Sequence, residues 1–295
     1  MMDDELSGQL TAALGRWTGA SVVTDRRGVQ VQRVRLLTGV LIAVKAALDG
    51  ESDSAVLPLR EATVIRKVGD GAGVLAAGTF AGGGSWNATP WWHGPTLHEV
   101  FKDVRQDRDD PRARSQAAQA AANAADALCD LHTAGWAHGD MQPDHVVHTH
   151  DGARILDLAA AHHPRCRLPD HLNVPYQGAL VHLEAPEIAR SLLEGLPTVP
   201  SLAADVYALG GALWASWSTM WPVDYAAAGV DPAPGDLPAK RAVVADGRWQ
   251  RPLDTGVWPR FETLLQDALA FRPDSRPSAR VLARELRRIA EEETP

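Results

Sequence analysis

The first third of the chain alternates short β-branched runs with turn residues, a pattern typical of antiparallel strands joined by tight turns. The first of these turns is predicted at residues 25–28, which read Asp-Arg-Arg-Gly. The pattern therefore predicts a small antiparallel sheet near the N-terminus. The predicted strands cover residues 21–23, 29–36, 40–47, 74–80 and 85–89.

Two helices are predicted among these strands. Residues 1–16 indicate a short leading helix with loose ends. Residues 58–68 combine a proline in the first turn with apolar side chains at helical spacing, which predicts a second helix. Its predicted apolar face consists of Leu59, Val64, Ile65 and Val68.

The pattern becomes mainly helical after a break at residues 90–95 that is rich in proline and tryptophan. Residues 203–220 are apolar on nearly all sides and predict a buried helix. Short strand-like pieces are predicted at residues 146–149 and 153–156. The other predicted helices of this part cover residues 116–132, 258–271 and 278–292.

The amino-acid composition and charge of the chain argue against several classes of function. The formal net charge of -8 argues against a nucleic acid or an anionic membrane as partner, since both select for basic surfaces. The N-terminus lacks the charged-then-apolar pattern of a signal peptide, and neither Cys129 nor Cys166 stands in a CxxC motif. We therefore expect a cytoplasmic protein.

Several short motifs occur in a fixed order along the chain. They are Ala-Val-Lys at 43–45, His-Gly-Asp at 138–140, Leu-Asp-Leu-Ala at 156–159, Ala-Pro-Glu at 185–187, Asp-Val-Tyr-Ala-Leu-Gly at 205–210 and Arg-Pro-Asp-Ser-Arg-Pro at 272–277. This order resembles the protein-kinase-like superfamily. The resemblance covers roughly residues 20–290. A histidine-glycine-aspartate string in the middle of the chain is also similar to the catalytic loop of aminoglycoside-phosphotransferase-like enzymes.

The resemblance implies an α+β, two-lobed protein-kinase-like fold. It places an N-terminal lobe of five antiparallel strands and one helix at residues 1–89, a hinge at 90–94 and a helical C-terminal lobe at 95–295. This fold would bind ATP and Mg²⁺ for phosphoryl transfer.

The resemblance also implies roles for single residues. Lys45 would hold the α- and β-phosphates of ATP, and Glu61 would keep that lysine extended. Asp140 would accept the proton of the acceptor hydroxyl or orient it. Asp157 would bind Mg²⁺, with His145 in the position of the second metal ligand. Of the remaining cofactor-binding candidates, Thr89 would face the adenine, Gln142 replaces the lysine of the catalytic loop, and Trp91 and Trp92 either cap the nucleotide or pack only within the hinge.

Four further residues have structural roles in the resemblance. His138 is expected to pack inside the fold, not to act as an acid or base. Asp205 should bond to the backbone of the catalytic loop. Glu187 and Arg276 should form an ion pair that fixes the segment ending in Ala-Pro-Glu.

The chain departs from the family pattern at the phosphate-binding loop. No GxGxxG motif is present, and residues 24–28 occupy its position. Glycine serves there because it lets backbone amides approach phosphate. Arg26 and Arg27 either replace those amide contacts with side-chain contacts or are solvated turn residues.

A second departure concerns metal binding and regulation. His145 is a poorer ligand for a hard ion than the usual asparagine, and the neighbouring Asp144 offers an alternative ligand. Between Asp157 and Glu187 there is no serine or threonine. In addition, Gly139 replaces the arginine that in the family reads a phosphate on this segment. We therefore expect no activation by Ser/Thr phosphorylation of this segment.

A third departure concerns substrate recognition. Protein Ser/Thr kinases usually carry a threonine at the position of Leu180, and it contacts the catalytic aspartate and the catalytic-loop lysine. Here Leu180 replaces the threonine and Gln142 replaces the lysine. We therefore expect no ordinary recognition of Ser/Thr protein substrates.

Three functions are compatible with these residues. The first is an atypical ATP-dependent phosphotransferase acting on a hydroxyl of a peptide, protein or small metabolite. The second is a pseudokinase that binds nucleotide or a partner protein without phosphoryl transfer. The third, a metal or redox enzyme, is weak because the histidines at 148, 150, 162 and 163 show no recognised ligand spacing.

Overall fold

A computed structural model describes residues 2–52, 54–69, 73–233 and 235–294. The fold is α+β, as predicted. The chain forms two compact units, one made of Met1–Trp92 with Arg165–Val174, and the other of His93–Pro164 with Pro175–Pro295. Assigning residues 165–174 to the first unit differs from the predicted division, which gave all of residues 95–295 to a helical lobe.

The first unit contains a five-stranded antiparallel sheet, which confirms the predicted sheet. The strands lie side by side in the order β1-β2-β3-β5-β4. Their bounds are Trp17–Arg26 (β1), Val29–Leu36 (β2), Leu41–Ala47 (β3), Ala76–Thr79 (β4) and Ser85–Pro90 (β5).

Strand β1 is much longer than the predicted strand at residues 21–23. Nearly all of its residues are exposed on both faces of the sheet. Without a buried face the strand has no alternation of apolar and polar residues, so its sequence pattern is weak. Asp25 and Arg26 belong to β1, and the turn consists only of Arg27 and Gly28.

Helix α1 (Asp4–Leu14) covers one face of this sheet. Its side chains Leu6 and Leu10 are fully buried, and Gln9 accepts a hydrogen bond from the indole N–H of Trp86 at 2.6 Å. Leu6, Leu10 and Trp86 belong to one apolar cluster. The other buried members of this cluster are Met2, Val34, Ile42, Val44, Ala46, Phe80 and Ala88.

Helix α2 (Leu57–Val68) carries Glu61. The predicted apolar face was only partly right. Val64 is buried, whereas Leu59, Ile65 and Val68 are half-buried. The fully buried side of α2 includes Arg60 and Glu61, because this helix buries a polar contact with strand β3 as well as apolar groups.

Two loops of the first unit pack backbone against backbone. A Cβ atom at Gly50 would overlap the carbonyl oxygen of Gly82, and a Cβ atom at Gly84 would overlap that of Ala47. The β3–α2 loop therefore approaches the β4–β5 turn more closely than any residue with a side chain would permit.

The second unit is mostly helical. Helix α7 (Leu202–Ser218) is buried on nearly all sides, as its apolar sequence predicted. A two-stranded sheet of β6 (Val146–Thr149) and β7 (Gly152–Ile155) accompanies the helices. The helices are α3 (Leu97–Val100), α4 (Lys102–Gln106), α5 (Pro111–Thr133), α6 (Pro186–Leu193), α7 (Leu202–Ser218), α8 (Leu237–Asp246), α9 (Pro259–Ala268) and α10 (Ala279–Glu292).

Helices α3, α4, α6 and α8 were not predicted. All four have ten residues or fewer, and a pattern with a 3.6-residue period is hard to recognise over so few turns. In the described part of the chain, no helix combines the length and the apolar character needed to cross a membrane.

Candidate functional site

Lys45 and Glu61 form the predicted ion pair in the first unit. The Lys45 Nζ atom lies 3.1 Å from Glu61 Oε2, and the two side chains are only 13% and 8% exposed. Asn87 on strand β5 donates its side-chain N–H to the same Glu61 oxygen at 3.1 Å and to the Pro58 carbonyl at 2.7 Å. Asn87 thus holds Glu61 in place, and Glu61 in turn holds Lys45.

Strand register places the nucleotide-binding candidates of this unit on one face of the sheet. Lys45 lies opposite Val31 on one side and Asn87 on the other. Ala43, two residues before Lys45, lies opposite Arg33 and Thr89. Directly opposed residues share a face, as do residues two apart on one strand. Lys45, Asn87, Thr89 and Arg33 therefore all project from the same face.

The two tryptophans after strand β5 differ in environment. The guanidinium of Arg33 lies over the ring of Trp91, 5.5 Å from its centroid, which is the geometry of a cation–π contact. Trp91 is half-buried, and Trp92 is 36% exposed. The contact with Arg33 supports packing of Trp91 within the first unit.

In the second unit, Asp205 organises the loop that carries Asp140. Its carboxylate accepts the backbone N–H groups of His138 at 2.7 Å and Gly139 at 2.9 Å, which confirms the predicted bond to this loop. Asp205 also bonds to the ring of His132 at 2.9 Å, and its own side chain is 2% exposed.

His138 is completely buried and links the Asp140 loop to the segment before Asp157. Its Nε2 atom lies 2.9 Å from the Leu156 carbonyl, and its Nδ1 atom lies 3.1 Å from the Asp140 backbone N–H. A carbonyl only accepts and an N–H only donates, so His138 carries its proton on Nε2. Burial lowers the pKa of His138, which keeps the ring neutral. The burial confirms that His138 packs inside the fold, as expected.

The Asp140 side chain is held through one of its two oxygens. Its Oδ1 atom accepts the Gln142 side-chain N–H at 2.6 Å and the Leu180 backbone N–H at 3.3 Å. The sequence indicated that both family partners of this aspartate are replaced. The structure shows that the replacements still bind it, one through an amide side chain and the other through the backbone.

His145 lies between the two aspartates. Its Nδ1 atom is 2.8 Å from the Asp140 backbone carbonyl and must donate to it. In the neutral ring, Nε2 is then an acceptor, and this atom lies 3.8 Å from Asp157 Oδ2. Asp157 adopts the left-handed conformation, with φ 59°, and accepts the Ala159 N–H at 3.4 Å.

The segment before the Ala-Pro-Glu motif is bonded to the Asp140 loop. The hydroxyl of Tyr176 donates to the Gly139 carbonyl at 2.6 Å. Glu184, whose side chain is fully buried, forms a two-pronged pair with Arg241. Arg241 also donates to the Gln177 carbonyl at 2.5 Å. The segment is therefore held in place by groups that need no modification.

Glu187 and Arg276 form the ion pair implied by the resemblance, with N–O distances of 2.7 and 2.8 Å. The Arg276 side chain is fully buried and also donates to the carbonyls of Ala203, Ala270 and Phe271. Arginine satisfies several acceptors at once because it has five N–H donors.

The residues near Asp157 fit a Mg²⁺ ion that arrives with phosphates. Magnesium in such sites is usually held by one or two carboxylates together with substrate phosphates and water. Asp157 would supply the carboxylate for such an ion, and its side chain is 32% exposed, so phosphates and water could approach it. Among the described residues, no group of three or more His, Cys, Asp or Glu side chains forms a protein-only metal site.

The predicted site residues thus form two groups. Lys45, Glu61 and Thr89 lie in the first unit, and Asp140, Gln142, His145 and Asp157 lie in the second. In comparisons with known proteins, no protein-family model matches the chain and no curated protein shows significant similarity to it.

Sequence reasoning missed Asn87 and the Glu184–Arg241 pair. Asn87 had a detectable signal, since asparagine is unfavourable inside a strand and its burial requires polar partners. The Glu184–Arg241 pair joins residues that are far apart in the sequence and belong to no motif, so only the fold reveals it.

Proposed function

We propose that the chain is an atypical ATP-dependent phosphotransferase with a two-lobed protein-kinase-like architecture. The observation that carries this proposal is the Lys45–Glu61 pair, which is largely buried and braced by Asn87. Burying two charges costs free energy that their mutual attraction often fails to recover, so such a pair is weak evidence for stability alone. A phosphate-binding role accounts for its presence.

The proposed reaction transfers the γ-phosphoryl group of ATP to a hydroxyl. The hydroxyl oxygen forms a bond to the γ-phosphorus, and the bond from that phosphorus to the β–γ bridging oxygen breaks. ADP leaves with the electron pair, and the hydroxyl proton passes to Asp140. Bound Mg²⁺ would neutralise charge on the phosphates.

Within this reaction, Asp140 would act through its second oxygen. Oδ1 already accepts hydrogen bonds from Gln142 and Leu180, so the free acceptor capacity lies mainly on Oδ2. A fixed carboxylate presents its base at one position, and this placement is the main contribution that a protein makes to such transfers. Lys45 would hold the α- and β-phosphates.

The acceptor is proposed to be a hydroxyl of a peptide, a protein or a small metabolite. Leu180 and Gln142 replace the threonine and the lysine that contact each other and the catalytic aspartate in ordinary Ser/Thr kinases, which argues against ordinary recognition of Ser/Thr protein substrates. Tyr176 and Arg241 hold this segment through hydrogen bonds that need no phosphorylated residue. These bonds support an enzyme that is not switched on by phosphorylation of this segment.

The second candidate is a pseudokinase that binds nucleotide or a partner protein without transferring phosphate. The observation that favours it is His145, whose Nε2 atom lies 3.8 Å from Asp157 Oδ2. In the resemblance, this residue replaces the asparagine that binds the second metal ion. Imidazole suits Mg²⁺ poorly, so weak metal binding there would reduce or abolish transfer.

Calorimetric titration with ATP, with and without Mg²⁺, tests the nucleotide site. Wild-type protein should bind ATP more tightly in the presence of Mg²⁺, and Lys45→Ala should lose this binding. Lys67→Ala, at an exposed position of α2, is the matched control and should bind like wild type. Wild-type protein that binds no ATP under either condition would contradict both candidates as nucleotide-binding proteins.

Transfer of labelled γ-phosphate to a panel of peptides and small hydroxyl compounds separates the two candidates. Product formation that Asp140→Asn abolishes and Asp151→Asn preserves would establish the phosphotransferase. ATP binding without product on any acceptor would favour the pseudokinase, and a product independent of Asp140 would refute the proposed mechanism.

A further inference from the structure

The β1–β2 hairpin ends in a turn of only two residues. The ladder continues to the pair Arg26–Val29, and Arg27 and Gly28 form the turn with φ values of 52° and 76°. Positive φ at both central residues is characteristic of the type I′ hairpin turn. Such a turn is too short to surround a phosphate with backbone N–H groups, so any phosphate contact here must come from side chains.

Strand register assigns the two arginines of this hairpin to different environments. Lys45 lies opposite Val31, and Val29 is two residues from Val31, so Val29 shares the face of Lys45. Arg26 lies directly opposite Val29 and therefore projects from that face as well. Arg27 occupies the corner of the turn.

The residues on either side of Arg26 form hydrogen bonds of their own. The hydroxyl of Ser54 donates to the Arg27 carbonyl at 2.7 Å, which ties the turn to the β3–α2 loop. Asp25 projects from the opposite face, where it accepts a hydrogen bond from Gln30 at 2.8 Å. The neighbouring carboxylate therefore does not neutralise Arg26 on the Lys45 face.

The spacing between Arg26 and Lys45 suits a polyphosphate. The two residues are two strands apart and displaced by one two-residue step, which corresponds to about 12 Å between their Cα atoms. Both side chains are long, and Arg26 is exposed, so both cationic ends can contact one triphosphate. Guanidinium groups bind phosphate through charge-assisted hydrogen bonds.

We propose that Arg26 binds the phosphates of the nucleotide and takes over the role that backbone amides have in a glycine-rich loop, whereas Arg27 has no part in binding. This inference rests on the proposed nucleotide site. The phosphates of the nucleotide would therefore lie near the β1–β2 turn.

The test compares Arg26→Ala with Arg27→Gly, which removes the same charge one residue away and suits the positive φ of the turn. Calorimetry is performed with Mg²⁺–ATP, adenosine and tripolyphosphate at physiological ionic strength. Arg26→Ala should weaken ATP and tripolyphosphate binding about tenfold or more and leave adenosine binding unchanged. Arg27→Gly should change ATP binding less than about twofold, since exposed charges are screened.

Arg26→Lys should restore part of the affinity, because it keeps the charge but loses the two-pronged geometry. Equal losses in Arg26→Ala and Arg27→Gly, or no loss in Arg26→Ala, would overturn the inference and leave the nucleotide site intact. Wild-type protein that binds neither ATP nor tripolyphosphate would overturn the proposed function and this inference together. Tripolyphosphate binding that depends on Arg26, without ATP binding, would uphold only the phosphate contact.

Discussion

Asp205 fixes the backbone of the Asp140 loop by accepting two consecutive N–H groups. Asp205→Ala would leave both donors buried without their partner, and each unsatisfied group costs about 1–3 kcal/mol. We therefore expect a loss of about 2–6 kcal/mol in the free energy of unfolding, measured by urea denaturation. Asp130→Ala, at an exposed position of α5, is the control and should change stability little. Equal stability of the two variants would show that the Asp205 contacts carry no net energy.

Arg276 is the buried partner of the Glu187–Arg276 pair. Glu187→Gln preserves the shape of the side chain but removes its charge, which leaves the guanidinium uncompensated. Because the Glu187 side chain is 27% exposed, we expect a cost near the lower end of the about 3–5 kcal/mol typical of broken buried pairs. Glu285→Gln breaks pairs with Arg284 and Arg288, whose side chains are 58% and 57% exposed, whereas that of Arg276 is fully buried. This control should therefore cost less than about 1 kcal/mol. A loss for Glu187→Gln as small as that of the control would refute this expectation.

At the residue scale, the motifs predicted the polar contacts that lie within them. Lys45–Glu61, Glu187–Arg276 and the bonds of Asp205 were all anticipated and are present. The supporting residues were not anticipated. Asn87 acts through a strand register that no local pattern specifies, and the roles of all these residues in catalysis stay predictions.

At the scale of elements, helix α1 forms part of the core of the first unit and is more than a loose leading segment. Leu10 is fully buried against the sheet. Leu10→Ala should lower the free energy of unfolding by about 2–5 kcal/mol, because it removes transfer free energy and leaves a cavity. Thr11→Ala, on the exposed side of the same helix, should be nearly neutral in the same urea titration. Equal effects would indicate that α1 is not packed as described.

The segment from residue 175 to the Ala-Pro-Glu motif is held in part by the hydrogen bond of the Tyr176 hydroxyl. The substitution Tyr176→Phe tests this contact. The change removes the hydrogen bond to Gly139 and should cost about 0.5–1.5 kcal/mol locally. Hydrogen exchange at the amides of residues 177–180 should accelerate accordingly. Tyr225→Phe is the control, because the Tyr225 hydroxyl has no hydrogen-bond partner among the described residues. Unchanged exchange in Tyr176→Phe would mean that other contacts hold the segment.

Whether an element was predicted depended on its length and on having one buried face. The buried helix α7 and strands β2 and β3 have strong patterns and were found close to their observed bounds. Strand β1, exposed on both sides, was predicted too short, and the short helices α3, α4, α6 and α8 were not predicted. In these elements, tertiary contacts rather than sequence periodicity determine the structure.

For the molecule as a whole, two half-buried histidines make stability depend on pH. Burial lowers the pKa of His148 to about 4, and burial together with the nearby charge of Lys240 lowers the pKa of His182 to about 4. In the unfolded chain both have pKa values near 6.5, so the unfolded state binds more protons between these values. The free energy of unfolding should therefore fall as the pH decreases from about 6.5 to 4, by about 1–3 kcal/mol for each histidine.

Urea denaturation at a series of pH values checks this expectation. His182→Gln should flatten the pH dependence, whereas His150→Gln, at a site 90% exposed, should leave it unchanged. An equally steep decline in His182→Gln and wild type would show that His182 titrates normally in the folded protein.

The division of the whole chain illustrates what a linear sequence conceals. The boundary between Trp92 and His93 falls at a composition break that the sequence displays. The assignment of residues 165–174 to the first unit has no such signal, because a short irregular segment acquires its partner only when distant residues are brought together. Part of this segment, residues 170–172, lies against helix α2.

The close approach of the β3–α2 loop to the β4–β5 turn limits which positions of this sequence can accept substitutions. Gly50 and Gly84 lie where any side chain would collide with a carbonyl group of the opposite loop. Random mutagenesis followed by selection for folded protein should retain glycine at both positions. Most positions of the solvent-facing strand β1 should meanwhile accept many residues, so the rate of sequence change would differ sharply within one small sheet.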